Sequence, residues 1–254
     1  MSHSIEAQDA EDDTLARLRG LLALPECDTV APVDCGIAKF PSFFPGGAGF
    51  QGPTFPKNGV MLVGNNFGTI SEYDHIVLAG TEFIPGITQR HENPTWFALW
   101  KFYFADKQMP IKECFFTNVY LGCVKNDADR EASRQKTSNR GKLKMTSEYQ
   151  LACLSALLKQ IEITEPLLIA LLGVHAVKAF AAAFEEYGAI AKGSLSLIQS
   201  SQPEEGYLIA ASESKSVRVI ALRHPSDPRS DQSKMEQGRL LRRAYVAAKM
   251  SALA

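Results

Sequence analysis

The sequence predicts an α/β fold: a three-layer α/β/α sandwich around a central, mostly parallel, four-stranded sheet. Three observations predict it. Four short apolar runs recur along the chain, helical patterns fall between them, and 45% of the 254 residues are hydrophobic, enough to bury a substantial core in a single domain over 1–254. The runs are 59-GVMLVG-64, 113-ECFFTNVY-120, 166-PLLIALLG-173 and 217-VRVIALRH-224. Near-continuous apolar stretches of this length, rich in Val, Ile, Leu and Phe, belong to strands covered on both faces. Their alternation with helices implies right-handed crossovers and a helical layer on each side of the sheet.

Taken in order, residues 14–24 form an N-terminal helix, and 25–58, with six of the thirteen prolines and many glycines, a wrapping loop before the first strand. After the strand at 59–64 comes an aromatic-rich helix at 95–105, then the strand at 113–120. Residues 125–144 carry seven Lys/Arg against three acids without apolar period, and are expected as a polar, basic insertion exposed to solvent. The helix at 147–163 starts behind Thr146, places Leu151, Leu154, Leu158 and Ile161 on one stripe, and ends before Pro166. A helix at 174–187 follows the third strand directly and stops at Gly188. The run from Leu195 and the run 207-YLIAA-211 read as a small hairpin, and 233–253 as the closing helix.

Several classes are excluded or disfavoured. No apolar run reaches the roughly 18 residues of a membrane span, and the acidic start, MSHSIEAQDAEDD, is not a secretory signal. Five scattered cysteines do not make a disulfide framework. The expectation is a soluble, intracellular protein without membrane contact, in the cytoplasm or nucleoid, or in the nucleus of a eukaryote. Its net charge of −1 leaves room for local basic faces, such as 215–249 with nine Lys/Arg against three acids. After the first strand, 64-GNNFGT-69 lacks the G-x-G-x-x-G spacing of a dinucleotide site, and the chain has no P-loop, no G-x-S-x-G elbow and no C-x-x-C pair.

In an open parallel sheet, ligands bind beyond the carboxyl ends of the strands. The segments standing there are 64-GNNFGT-69, 117-TNVYLG-122, 173-GVHA-176 and 224-HPSDPR-229. Asparagine, histidine and serine side chains thus gather on one edge among glycine turns. His224 also has a simpler reading as the cap of a buried strand, and Asn66 and Asn118 as turn residues.

Two of these segments carry a resemblance. The run 62-LVGNNFG-68 is similar to the first catalytic motif of the uracil-DNA glycosylase superfamily, a strand ending in G-x-[DNA]-P-[GYF], with Phe67 in place of proline. The run 219-VIALRHPSDPR-229 resembles its second motif, a strand ending in H-P-S ahead of a loop that wedges into DNA. Between them, 116-FTNVYLG-122 and 166-PLLIALLG-173 follow the style of the iron–sulphur branches, so that the order of strand ends agrees over about residues 59–229.

The resemblance implies a glycosylase that hydrolyses the N-glycosidic bond of uracil or a related damaged base in DNA, as in base excision repair. Breaking that bond builds negative charge on the departing base, which a donor from His224 would stabilise. Asn66 would orient the attacking water; an amide orients but does not deprotonate. Asn118 would read the base, its amide matching uracil O4 and N3–H. Gly64 would sit against the base, and Phe67, Trp96 or Phe83 would pack on it once it is flipped from the stack. Ser226 would grip a phosphate and Arg229 would stand beside the wedge, with Asp227 an unwelcome negative charge between them. The partner is DNA with a flipped-out base, met by a monomer, without metal or cofactor. A 4Fe-4S cluster through Cys27, Cys35, Cys123 and Cys153 is the alternative, since these fall in regions comparable to the ligands of the iron–sulphur branches although the first spacing departs from theirs. Two further alternatives for function are a non-catalytic nucleic-acid-binding protein of the same fold and an enzyme on a small nucleoside-like ligand.

Overall fold

The computed structural model describes residues 17, 18, 20, 21, 23–27, 30, 31, 57–65, 97–104, 113–124, 147–212 and 215–253. It has a mixed α/β fold with a five-stranded, mostly parallel sheet. The strands are β1 (Val30–Ala31), β2 (Val60–Gly64), β3 (Cys114–Asn118), β4 (Cys123–Val124), β5 (Leu168–Leu172), β6 (Tyr207–Ser212) and β7 (Lys215–Leu222). The helices are α1 (Ser147–Thr164), α2 (Val174–Ala183), α3 (Glu185–Ile190), α4 (Leu195–Ser201) and α5 (Asp231–Leu253). The sheet order is β3-β2-β5-β7-β6, with β1 and β4 forming a separate two-stranded pair. All neighbours in the large sheet run parallel except β6, which is antiparallel to β7.

The apolar runs became strands because both sets of alternating side chains are buried. Met61, Val63, Ile169, Leu171, Val219 and Ala221 enter one apolar cluster, together with α1 and α2. Val60, Leu62, Leu168, Ala170, Ile220 and Leu222 enter the other, against Leu241, Ala244, Tyr245 and Ala248 of α5 and the aromatic turn before β3. That turn, Leu99–Tyr103, is a single π-helical turn continuing a helical start at Phe97 and Ala98.

Four sequence expectations need correction. The sheet has five strands rather than four, because 207–212 pairs with β7 instead of folding back on the run from Leu195. That run is helical: the Ser194 hydroxyl accepts a hydrogen bond from the Leu197 N–H and caps α4, diverting the segment from a hairpin. The stripe on α1 is rotated from the expected one. Leu151 and Leu158 are 67% and 42% exposed, while Tyr149, Cys153, Leu157, Gln160 and Ile161 face the core, so of the expected stripe Ile161 is buried and Leu154 partly so. The helix after β5 breaks at Phe184, not at Gly188; Phe184 takes extended backbone so that its ring can stack on Phe180 at 4.2 Å, and Gly188 lies inside α3. In the predicted N-terminal helix, Arg17, Leu18 and Gly20 are helical, with Leu18 fully buried. Most of the wrapping loop and all of the basic insertion 125–144 lie outside the described residues. Among the described residues, no helix is long and apolar enough to cross a membrane.

Candidate functional site

Because β2, β3, β5 and β7 are parallel, their carboxyl ends share one edge of the sheet. The chain passes from β2 outward to β3, then returns to β5 on the other side of β2. The direction of winding therefore reverses between β2 and β5, and a crevice opens beyond the carboxyl ends at such a point. Gly64 ends β2 and Gly173 follows β5, so the two residues flanking the crevice lack side chains.

Each glycine is covered by a polar side chain from the next strand outward. Gly64 is in register with Asn118 of β3, and the Asn118 side-chain oxygen lies where a Cβ on Gly64 would stand. The strands stay paired past this point: the Val119 N–H donates to the Gly64 carbonyl at 2.9 Å and the Tyr120 N–H to the Asn65 carbonyl at 3.0 Å. On the other side, Gly173 has φ +90°, a left-handed conformation that L side chains rarely adopt, and its N–H donates to the Leu222 carbonyl at 2.8 Å. A Cβ there would lie 3.0 Å from Cβ of His224 and 3.5 Å from its Cδ2. Asn118 and His224 thus lean toward each other over two adjacent strands, whose axes in a sheet are about 4.8 Å apart.

The proton on His224 is assigned by its neighbours. Nδ1 lies 3.3 Å from the Ser226 backbone N–H, which can only donate, and 2.7 Å from the Ser226 hydroxyl. Nδ1 is therefore an acceptor, and the neutral ring carries its hydrogen on Nε2. Burial pushes the pKa of His224 down; nearby His175 pushes the same way and Asp227 opposes. The half-buried ring is held as neutral imidazole, and among the described residues its Nε2–H has no hydrogen-bond partner.

The loop after His224 is a compact turn. The Asp227 N–H donates to the His224 carbonyl at 2.9 Å, and the Arg229 N–H to the Asp227 carbonyl at 2.7 Å. The guanidinium Nε of Arg229 is 3.4 Å from the Asp227 carboxylate. The two residues expected at phosphates are thus engaged within the loop, Ser226 with the imidazole and Arg229 with Asp227. That ion pair also offsets the carboxylate's charge beside the edge.

Sequence reasoning passed over several residues at this edge. His175 stands in the first turn of α2, close enough to influence the ionisation of His224. The Tyr103 hydroxyl donates to the Arg223 carbonyl at 2.9 Å. Burial first, and Asp227 second, push the Tyr103 pKa up, so it stays a neutral phenol. The Gln237 side-chain oxygen accepts from the Arg223 N–H at 2.9 Å. The glycine before α2 was a readable sign; the tyrosine was hidden within an aromatic run.

Asn66, Phe67, Phe83 and Trp96 lie outside the described residues, as does Cys35. Of the cysteines considered as cluster ligands, Cys27 and Cys153 are both buried, and near enough that Cys27 raises the pKa of Cys153, whose own burial is the larger cause. The backbone pairing of β1 with β4 puts Ala31 opposite Cys123. Among the described residues, no group of three or more His, Cys, Asp or Glu side chains is arranged to hold a metal ion. In comparison with known proteins, no protein-family model matches the chain and no curated protein matches it.

Proposed function

We propose that the chain is a DNA glycosylase, acting as a monomer without cofactor inside the cell, that hydrolyses the N-glycosidic bond of uracil or a related damaged base. On this reading the fold is the three-layer α/β/α sandwich of the uracil-DNA glycosylase superfamily, enlarged by the antiparallel strand β6. One observation carries the proposal: a neutral imidazole, its Nε2–H unpartnered among the described residues, lies against Gly173 and a carboxamide over Gly64, the two glycines that flank the point where the winding reverses.

The chemistry follows from those groups. A base flipped into the crevice meets Asn118 at its O4 and N3–H edge and the Nε2–H of His224 at O2. Water attacks C1′ of the deoxyribose, the bond to N1 breaks, and the electron pair leaves with the base as a uracil anion. The proton lost from the water passes to solvent. A neutral donor fixed before reaction stabilises that anion without reorganisation, a contribution worth roughly 10²–10³ in rate. Asn66, one residue beyond Asn65 at the end of β2, is assigned to orienting the water. The missing side chain at Gly64 leaves room for the Asn118 amide that would read the base.

The reading is tested with single- and double-stranded oligonucleotides carrying one uracil, treated with alkali after incubation. Strand breaks at the uracil support it. Retarded gel bands without breaks move the assignment to a non-catalytic nucleic-acid-binding protein, and neither result points to a small nucleoside-like ligand.

A further inference from the structure

We propose that Tyr103 and Gln237 are positioning residues that set the orientation of His224 by clamping the backbone of Arg223; the catalytic part of this role rests on the glycosylase reading. β7 is held differently along its two edges. Its residues alternate in the edge to which their backbone groups point. Leu222 points to β5, where its carbonyl accepts from Gly173. Val219 faces β6, whose register with β7 ends at the pair Tyr207 and Val219. Beyond that pair, no strand among the described residues holds the outer edge.

Three glutamine side chains take its place. The Gln202 amide forms two hydrogen bonds with Ala221, accepting from its N–H at 2.9 Å and donating to its carbonyl at 3.1 Å. Nε2 of Gln199 donates to the same carbonyl at 3.0 Å and to Oε1 of Gln237 at 2.8 Å. Oε1 of Gln237 then accepts from the Arg223 N–H. These amides extend the ladder by two further rungs to the residue before His224. Tyr103 completes the clamp, because the carbonyl it holds belongs to the peptide joining Arg223 to His224. The plane of that peptide sets the direction in which the imidazole leaves the main chain.

The two clamping residues are themselves rigidly related. Gly238, next to Gln237 on α5, lets that helix approach the aromatic turn so closely that a Cβ on it would stand 3.0 Å from the Tyr103 Cα. A neutral hydroxyl and an amide oxygen, on two packed elements, thus fix one dipeptide. A misplacement of about 1 Å at a reacting group costs on the order of 100-fold in rate.

The test uses the full chain as wild type and as Tyr103→Phe, Gln237→Leu and Gln237→Glu. Single-turnover and steady-state excision are measured on a uracil-containing single strand, with nitrogen-15 NMR of the His224 ring in the absence of DNA. Tyr103→Phe and Gln237→Leu are each expected to lower kcat by about 10- to 100-fold with KM near wild type. Both should replace the single Nε2–H tautomer by a mixture. Gln237→Glu keeps the acceptor oxygen and should restore the single tautomer. Wild-type kcat, or an unchanged ring signature in both variants, overturns the proposal. If the wild type itself makes no alkali-labile sites, the glycosylase reading fails alone, and the ring signature decides the positioning: a mixture in the variants supports it, an unchanged single tautomer refutes it.

Discussion

The side-chain oxygen of Asn118 occupies the space in which a Cβ on Gly64 would stand. His224 lies against Gly173 in the same manner two strands away from β2. The crevice is therefore shaped as much by two absent side chains as by two present ones, and this gives each pair a separable signature in mutants.

Gly64→Ala is expected to destabilise the protein by about 1–3 kcal/mol, the usual cost of forcing volume into a packed site. The added methyl must push the Asn118 amide aside or part β2 from β3. In the double variant Gly64→Ala with Asn118→Ala, most of that stability should return while excision stays low. Urea unfolding of the four proteins in the cycle measures this; additive effects of the two substitutions would contradict the contact.

His224→Ala should lower single-turnover excision by roughly 10²–10³, the loss expected for one anion-stabilising donor. DNA affinity by fluorescence anisotropy should change little, because on the proposed reading the imidazole would meet the base rather than the phosphates. An unchanged excision rate would remove His224 from the chemistry.

The lowered pKa of His224 also predicts a pH dependence of stability. In the unfolded chain its imidazole takes up a proton near pH 6.5, whereas the folded protein takes it up only at lower pH. Between those values the unfolded state binds more protons, so stability falls as the pH drops below about 6.5 and levels off beneath the folded pKa. Other groups titrate in this range too, so the quantity to measure is the difference in urea midpoint between wild type and His224→Gln. That difference should shift in favour of the variant on acidification, and a flat difference would refute the depressed pKa.

If Asn118 reads the uracil edge, Asn118→Asp should weaken uracil excision, because the carboxylate lacks the N–H that meets O4. The new acceptor suits the exocyclic amine of cytosine, so excision of cytosine should rise from background. Sites built to hydrogen-bond a substrate group discriminate steeply against mismatched partners. Parallel assays on uracil- and cytosine-bearing single strands test both halves, and full uracil activity in the variant would make Asn118 a turn residue.

Asp227→Asn should release Arg229 from its ion pair and, on the proposed reading, remove a negative charge beside the DNA. Affinity for single-stranded DNA is expected to rise, and the plot of log affinity against log salt to steepen by about 0.7, the increment for one added phosphate contact on a single strand. An unchanged slope would mean that Arg229 points away from DNA with or without its partner.

The sheet was legible because β2, β3, β5 and β7 are buried on both faces, which leaves an unbroken apolar run in the sequence. β6 was not, because its side chains alternate: Ile209 is buried while Leu208 is exposed, a pattern equally at home in a separate hairpin. At the site, strand ends marked by Asn118 and His224 could be found from position alone. The glycines they cover could be seen only as turns, since the use of Gly64 depends on a cross-strand register that no local pattern reveals. Tyr103, Gln199, Gln202 and Gln237 were illegible for a related reason. They act on the backbone of a strand distant in sequence, and a polar residue on a helix face does not announce which distant carbonyl or N–H it will meet.

The central place of β2 has a consequence for how the protein comes to be active. The part of the sheet that bears His224, from β5 to α5, is nearly continuous in sequence and includes the β6–β7 hairpin. β2 and β3 must join it from far upstream, through parallel pairings that close long stretches of chain, and such contacts form slowly. Refolding should therefore proceed by early assembly of the carboxyl-terminal half and later docking of β2 onto β5. The crevice between those two strands comes into existence only with that final step. In a refolding experiment, recovery of excision should lag behind recovery of helical circular dichroism, so a partly folded chain would bear its imidazole without yet having a place for a base.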